Sequence, residues 1–339
     1  MKPIPSSREV AQMYKGLLAA VEHKYAIWIK HYEVIHDTAR TIVYKITAAQ
    51  GTFILKSIFT HEIRLQMILE AEAFLRSRGV KIPFTIPTTD NMPYFSFKRQ
   101  LFVMQQWICA TPYQLTSMEH VVRLASLLGR THAASKEYRD SLSGYMFCGA
   151  AVWEQEYDKV LDYFKLWKKD NTAIPNTWQS VILAYLDFFI DAGNDVKERA
   201  KTNPIFNYWK VDYQSLVLSH SDFHTHNILM DEEGELYIID WEFVRLDFPS
   251  RDINRLLYAM LKKSTSWQER SYTKVMAAYL HENPLMEQEI ELLRLDLAFP
   301  HNLFRNLYWN KFERMTTRQI HAFLKKEHDK TVYFLNGDR

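Results

Sequence analysis

From about residue 117 onward the chain reads as helix after helix, except for one β-rich island at Leu216–Asp240. The island runs Leu218-Ser-His-Ser-Asp222-Phe-His-Thr-His-Asn227-Ile-Leu-Met, then Asp231-Glu-Glu-Gly234, then Glu235-Leu-Tyr-Ile-Ile-Asp240-Trp-Glu. Apolar runs on either side of a turn-forming Asp231–Gly234 predict two short strands joined as a hairpin. Such a hairpin sets Asn227 and Asp240 at its open end, with Asp222 on the loop that enters the first strand. Three oxygen-bearing side chains then converge on one spot.

The N-terminal third has a different texture. Val10, Met13, Tyr14, Leu17, Leu18 and Val21 recur at helical spacing and predict an amphipathic helix over 7–23. Ile27–Ile35, Thr41–Thr47 and Thr52–Ile58 are β-rich, and Ala48-Ala49-Gln50-Gly51 predicts the turn between the last two. Residues 62–78 predict a helix ending at Gly79, a residue suited to the position just past a helix C-terminus. Pro83, Pro87 and Pro93 mark irregular chain, after which Tyr94–Phe97 and Leu101–Ile108 read as strands. Helices are expected from about 117 to His132, at about 151–169 and 176–199, and again from near Arg251. The chain has 339 residues, more than the roughly 250–300 at which one core usually stops growing. The expectation is an α+β, two-lobed architecture: a β-rich lobe over 1–107 and a mainly helical lobe over 108–339.

Composition narrows the partners. Lysines and arginines outnumber acids by 42 to 40, a net charge of +2 that gives no basis for nucleic acid as the main partner. The first ten residues hold no apolar signal core, and no later stretch offers 18 uncharged apolar residues, so neither a signal peptide nor a membrane span is expected. Cys109 and Cys148 match no disulfide or metal spacing, which fits a reducing cytoplasm.

Phosphoryl transfer needs what the island offers. One carboxylate orients an acceptor hydroxyl and takes its proton, while hard oxygen donors hold Mg²⁺ against a triphosphate. A competing reading uses His220, Asp222, His224 and His226 as zinc ligands of a hydrolase. Hydrolase sets usually draw further ligands from separate strand ends, and none stands in comparable company here. The metal-hydrolase reading therefore ranks below phosphoryl transfer.

The order and spacing of these residues resemble the catalytic loop and metal-binding Asp of the protein-kinase-like superfamily. More closely, they are similar to the aminoglycoside phosphotransferase and choline kinase branch, whose pattern is H-G-D-x-x-x-x-N-x-L followed by I-D-W-E. Ser221 replaces the Gly of that pattern, and every other position is in place. The resemblance implies a two-lobed protein-kinase-like fold, ATP and Mg²⁺ as cofactors, Asp222 as catalytic base, and Asn227 with Asp240 as metal ligands. It places Lys56, at the end of the Thr52–Ile58 strand, on the α- and β-phosphates. The usual glutamate partner lies on the next helix, where Glu70 and Glu72 are two positions apart and cannot face the same way. The apolar pattern does not choose between them, and Glu72 is preferred with the choice left open. The backbone at Gln105, Gln106 and Trp107 would form the hinge that receives adenine, and Asp252, equally readable as a helix-start acid favoured by the helix dipole, would support the catalytic loop.

Further segments, Tyr14-Lys-Gly-Leu-Leu, Tyr44-Lys-Ile-Thr, Gly51-Thr-Phe-Ile-Leu-Lys56, Gln106-Trp107-Ile and Leu124–Ser135, together resemble the spore coat protein S family of endospore-forming bacteria. That resemblance implies a protein made in the mother-cell cytoplasm and associated with the spore coat, with other coat proteins as partners. The acceptor is expected to be a small molecule or a glycan.

Two departures bear on activity, Ser221 in the catalytic loop and a nucleotide loop without glycine. Glycine is scarce, nine residues in all, and none lies between Gly16 and Gly51. The nucleotide-covering loop at His36–Arg40 therefore lacks the residue that lets backbone amides approach phosphates: either Thr38 and Ala39 serve in a tighter loop, with the charge of Arg40, or nucleotide binding is weak or lost. Phe299, Phe304, Tyr308, Trp309 and Phe312, with His301, Arg305 and Arg314, lie where the acceptor pocket is expected. Aromatics at such spacing are more often core; as a pocket wall they suit a sugar or a quaternary ammonium. Three functions stay open: an active phosphotransferase, a catalytically silent coat or scaffold protein, and a choline- or aminoglycoside-type kinase.

Overall fold

The structure is a computed structural model and describes residues 7–38, 41–138, 148–208 and 215–336. In chain order the elements begin with α1 (Ser7–Tyr25), β1 (Ile29–Asp37), β2 (Ile42–Ala48), β3 (Gly51–Ile58) and α2 (Glu62–Ser77). There follow β4 (Thr85–Ile86), β5 (Phe95–Phe97), β6 (Gln100–Gln106), β7 (Ala110–Pro112), α3 (Met118–Ser135), α4 (Trp153–Thr172), α5 (Thr177–Thr202) and α6 (Pro204–Tyr208). The island contributes β8 (Val217–Ser219), β9 (Ile228–Asp231) and β10 (Leu236–Ile238), and β11 (Arg245–Asp247) comes next. The chain ends in α7 (Ser250–Lys263), α8 (Glu269–Glu282), α9 (Glu287–Ala298), α10 (His301–Tyr308) and α11 (Thr317–Asn336). Two compact units result. One takes in the chain through Pro112 together with Ile228–Glu242, and the other takes in the remaining described residues.

In the first unit an antiparallel sheet runs β1-β2-β3-β6-β4, with β5 also paired to β6. Alternation decides its faces. Ile42, Tyr44, Ile46 and Ala48 are buried while their neighbours are less so, and with Leu55, Phe102 and Met104 they meet Leu17 and Val21 of α1. The other face sets Ile58, Leu101 and Val103 against Leu65 and Leu69 of α2. Lys56, in register with Val103 and one position from Leu55, is thereby turned to the α2 face. The turn at Ala49-Gln50 is as expected, with Ala48 opposite Gly51. Helix α2 also ends as expected. Gly79 adopts φ +86°, and its amide and that of Val80 close back on Arg76 and Leu75.

The predicted hairpin forms in this unit. Ile228 stands opposite Ile238, β9 also pairs with β7, and Gly234 at φ +81° donates to the Asp231 carbonyl at 3.1 Å.

The second unit is mostly helical. The reciprocal cap between Asn176 and Gln179 starts α5, with bonds of 3.0 and 2.8 Å. Strand β8 pairs with β11, which lacks any apolar alternation and was not expected from its sequence, Arg-Leu-Asp. Asp247 explains β11: fully buried, it accepts from Trp153 Nε1 and Arg251 Nε, each at 2.7 Å. Among the described residues no helix is long and apolar enough to cross a membrane.

Helices α3 and α8 meet closely at Gly129, where an added Cβ would lie 2.6 Å from the Tyr279 carbonyl oxygen and 2.9 Å from Glu282 Cβ. Backbone cannot yield as a side chain can. Gly129→Ala should therefore destabilise the fold by about 1–3 kcal/mol, read as a lower urea midpoint.

Candidate active site

The loop after β8 takes a shape that side chains resist. Ser221 sits at φ +65°, a left-handed conformation that costs a non-glycine residue roughly 1–2 kcal/mol. Asp252, in the first turn of α7, holds it there. Its Oδ2 accepts the His220 amide at 2.7 Å and its Oδ1 accepts the Ser221 amide at 2.8 Å. His132 of α3 sets Nε2 3.2 Å from the same Oδ2, and its Nδ1 lies 2.8 Å from Tyr279 Oη. Burial pushes the Asp252 carboxyl up, but the hydrogen bond and charge of His132 hold it below the usual carboxylate range.

Asp222 follows directly. Its amide donates to His220 Nδ1 at 3.2 Å, and its carboxylate lies 3.0 Å from Arg255 Nη2 and 3.2 Å from His224 Nε2. Partial burial raises this carboxyl, and the His224 hydrogen bond with the Arg255 charge outweighs it, lowering the pKa to about 2. The folded value lies below the roughly 3.9 of an unfolded Asp, so this group favours folding above that pH. Its contribution disappears as pH falls through about 2. Asn227 donates from Nδ2 to the Asp222 carbonyl at 3.1 Å, which leaves Oδ1 as the acceptor end of its amide.

In the first unit Lys56 ion-pairs with both Asp240 and Glu242. Burial lowers the Lys56 pKa, and the two carboxylates more than restore it, so the net shift is upward. Glu242 is raised by burial first and by Asp240, against the opposing pull of Lys56. Asp240 itself takes φ +68°, a second left-handed non-glycine residue next to the chemistry. Lys56, Glu72, Gln105, Asp240 and Glu242 line one small pocket.

Glu72 is therefore placed beside Lys56, while the direct ion pairs of the lysine go to Asp240 and Glu242. Glu72 instead faces Arg76, one helical turn on, at 3.5 Å and accepts from Gln105 Nε2 at 3.4 Å. Glu70 is only half-buried. Burial pushes the Glu72 carboxyl up to about 7, with Arg76 and Lys56 opposing.

The hinge residues differ among themselves. Gln105 turns its side chain into the pocket, whereas the amides of Gln106 and Trp107 donate to Phe84 and Thr52 carbonyls at 2.8 and 3.4 Å. Those two amides are thus engaged within the sheet. At the β1–β2 turn, Asp37 pairs with Ile42, and Thr38 and Thr41 close on each other through an amide-to-carbonyl bond of 2.9 Å. Ala39 and Arg40 lie outside the described residues.

Among the described residues no three His, Cys, Asp or Glu side chains are grouped to hold a metal, so His220, Asp222, His224 and His226 do not form the zinc-ligand set of the competing reading. Magnesium asks less of a protein, one or two hard oxygens beside waters and phosphates. In the second unit Asn227 Oδ1 is an oxygen of that kind, and in the first unit the Asp240 carboxylate, which pairs with Lys56, supplies another. Of the C-terminal aromatics, Phe299 and Phe312 are core, while Tyr308 and Trp309 are exposed.

The family model described as the phosphotransferase enzyme family matches residues 31–290. The chain belongs to the phosphotransferase enzyme family. Spore coat protein S of Bacillus subtilis (strain 168) is 22% identical over 282 residues, 82% of this chain and 79% of that protein. An aminoglycoside phosphotransferase structure from Alicyclobacillus acidocaldarius covers 98% of this chain and 95% of its own at TM-score 0.72 and 16% identity. An amicoumacin kinase in complex with AMP-PNP, Ca2+ and Ami covers 96% and 97% at TM-score 0.64 and 17% identity. These likenesses establish the α+β, kinase-like fold of this phosphotransferase-family chain.

Sequence reasoning assigned no role to Glu242, Arg255 or His132. Glu242 stands inside the quoted Asp-Trp-Glu run, so its signal was present. Arg255 falls three positions after Asp252 on one helix face, a weaker cue. The left-handed Ser221 explains why the family pattern carries Gly there. Ser221→Gly should raise stability by up to about 1 kcal/mol, measured as the change in denaturant midpoint.

Proposed function

We propose that this protein transfers the γ-phosphoryl group of ATP to an alcohol hydroxyl of a small molecule or glycan, with Mg²⁺ as cofactor, in association with the spore coat. The observation that carries this reading is the Asp222 loop: its backbone is pinned by Asp252, and its carboxylate is kept ionised, ready to accept a proton. In the transfer, the acceptor oxygen bonds to the γ-phosphorus as the bond to the bridging oxygen breaks. ADP leaves, and the acceptor proton passes to Asp222. Asn227 and Asp240 are assigned to Mg²⁺, and Lys56 to the α- and β-phosphates, with Glu72 tuning the charge of its pocket. The N-terminal lobe over 1–107, with its hinge near Gln105–Trp107, is assigned to the nucleotide and the lobe over 108–339 to catalysis and the acceptor. The similarity to spore coat protein S supports the location, and the amicoumacin kinase, bound to AMP-PNP, supports nucleotide use.

A second reading, a catalytically silent scaffold protein of the coat, is favoured by the engaged amides of Gln106 and Trp107 and by the absence of glycine between Gly16 and Gly51. Thermal denaturation with ATP and Mg²⁺ separates the two. The active reading predicts a higher melting temperature that depends on both, with the magnesium-dependent part lost in Asp240→Asn. Asp222→Asn should keep nucleotide binding and lower acceptor-dependent ADP release by at least about 100-fold. No shift with ATP and Mg²⁺ would leave the scaffold reading.

A further inference from the structure

Arg255, Tyr258 and Lys262 share one face of α7, and Arg305 and Asn306 of α10 and Lys311 beyond it close around the same tyrosine. Lys262 Nζ lies 4.6 Å and the Arg305 guanidinium 6.0 Å from the centre of the Tyr258 ring, whose hydroxyl accepts from Asn306 Nδ2 at 3.1 Å. Helix α11 adds Lys326, which donates to the Leu261 and Ser264 carbonyls at 2.7 and 3.0 Å. A cavity of about 420 Å³ opens beside Tyr258, Lys262, Asn306, Lys311 and Lys326.

The acids nearby are already taken. Asp222 is paired with Arg255 at 3.0 Å, and Glu327, which also lines the cavity, is paired with the buried Lys330 at 2.8 Å and accepts from Asn302 at 3.1 Å. Among the described residues, Lys262, Arg305 and Lys311 make no ion pair with a carboxylate. One guanidinium nitrogen of Arg305, Nη1, is buried without a hydrogen-bond partner. Burial, together with the charge of Arg255, lowers the Arg305 pKa to about 10; burial and the Arg305 charge lower Lys262, and burial with the Lys262 and Arg305 charges lowers Lys311. Like charges held this close, partly dry and without acids, repel one another unless an anion joins them.

We propose that this basic cavity receives a phosphate or carboxylate group of the acceptor, so that the acceptor is an acidic hydroxyl compound such as a sugar phosphate or sugar acid. Naming that anion as the acceptor rests on the phosphoryl-transfer reading; the anion site itself does not. Cationic amino sugars and choline are disfavoured by the same charges, and Arg255, on the α7 face that carries Tyr258 and Lys262, pairs with Asp222.

Calorimetric titration without nucleotide tests the site. The probes are inorganic phosphate, glucose 6-phosphate, glucuronate, neutral glucose, glucosamine and choline. The anionic probes should bind at least about tenfold more tightly than glucose, and added salt should weaken them. Phosphate with glucose 6-phosphate, against glucuronate, tells a phosphate-bearing from a carboxylate-bearing ligand. The double variant Lys262→Gln/Lys311→Gln, which alters two exposed side chains and relieves their repulsion, should lose about tenfold in affinity with no loss of melting temperature. Anionic probes binding no better than glucose, or glucosamine or choline binding best, would overturn the inference. ADP release on the same panel tells the two failures apart. Anion binding with no ADP release under any condition would keep the site and remove the kinase reading. ADP release driven by choline or glucosamine alone would keep the kinase and remove the site.

Discussion

The carboxylate of Asp252 is fully buried, and folding strips it of water that no side chain replaces for free. Its two oxygens instead receive the amides of His220 and Ser221, and His132 lies against one of them. This one group joins α3, α7 and the loop after β8. It also holds Ser221 in a conformation the residue would not choose, which fixes where Asp222 begins. Removing one partner from so dry a cluster leaves charge or amides unsatisfied, at a cost of several kcal/mol. The backbone at His220 and Ser221 is thereby tied to one carboxylate.

Charge is allocated oppositely in the two units. Around Lys56 the protein gathers Asp240 and Glu242, two carboxylates on one lysine, while Glu72 beside them faces Arg76 and is driven upward by burial. On the phosphoryl-transfer reading proposed above, that surplus of acid would serve a nucleotide-bound metal. Around Tyr258 it gathers Arg305, Lys262 and Lys311, more base than the neighbouring acids neutralise. Each imbalance marks a place where a ligand of the opposite sign completes the electrostatics.

The hairpin at Ile228–Ile238 and the face taken by Lys56 were legible because each follows from local alternation and turn residues. Asp252 was readable only as a helix-start acid or, by resemblance, as a loop support, and its bonds to two amides show the second role. The pairing of Lys56 with Glu242 was not legible, since local periodicity says nothing about residues so far apart in sequence. Strand β11 exists because Asp247 is buried among donors from α4 and α7, a tertiary cause that Arg-Leu-Asp does not advertise. The basic cavity shares this character. Its lining cations, Lys262, Lys311 and Lys326, each look like a solvated surface charge until α7, α11 and the segment after α10 are packed together.

Hydrogen exchange at the His220 and Ser221 amides, compared between the natural protein and Asp252→Asn, bears most directly on the role given to that carboxylate. Asn keeps the volume but replaces one acceptor oxygen with a donor, so one of the two amides loses its partner. The expected result is faster exchange confined to residues 220–222, with helical amides still protected and acceptor-dependent ADP release reduced in parallel. Unchanged exchange at these amides, or unchanged turnover despite their release, would contradict the central place of Asp252.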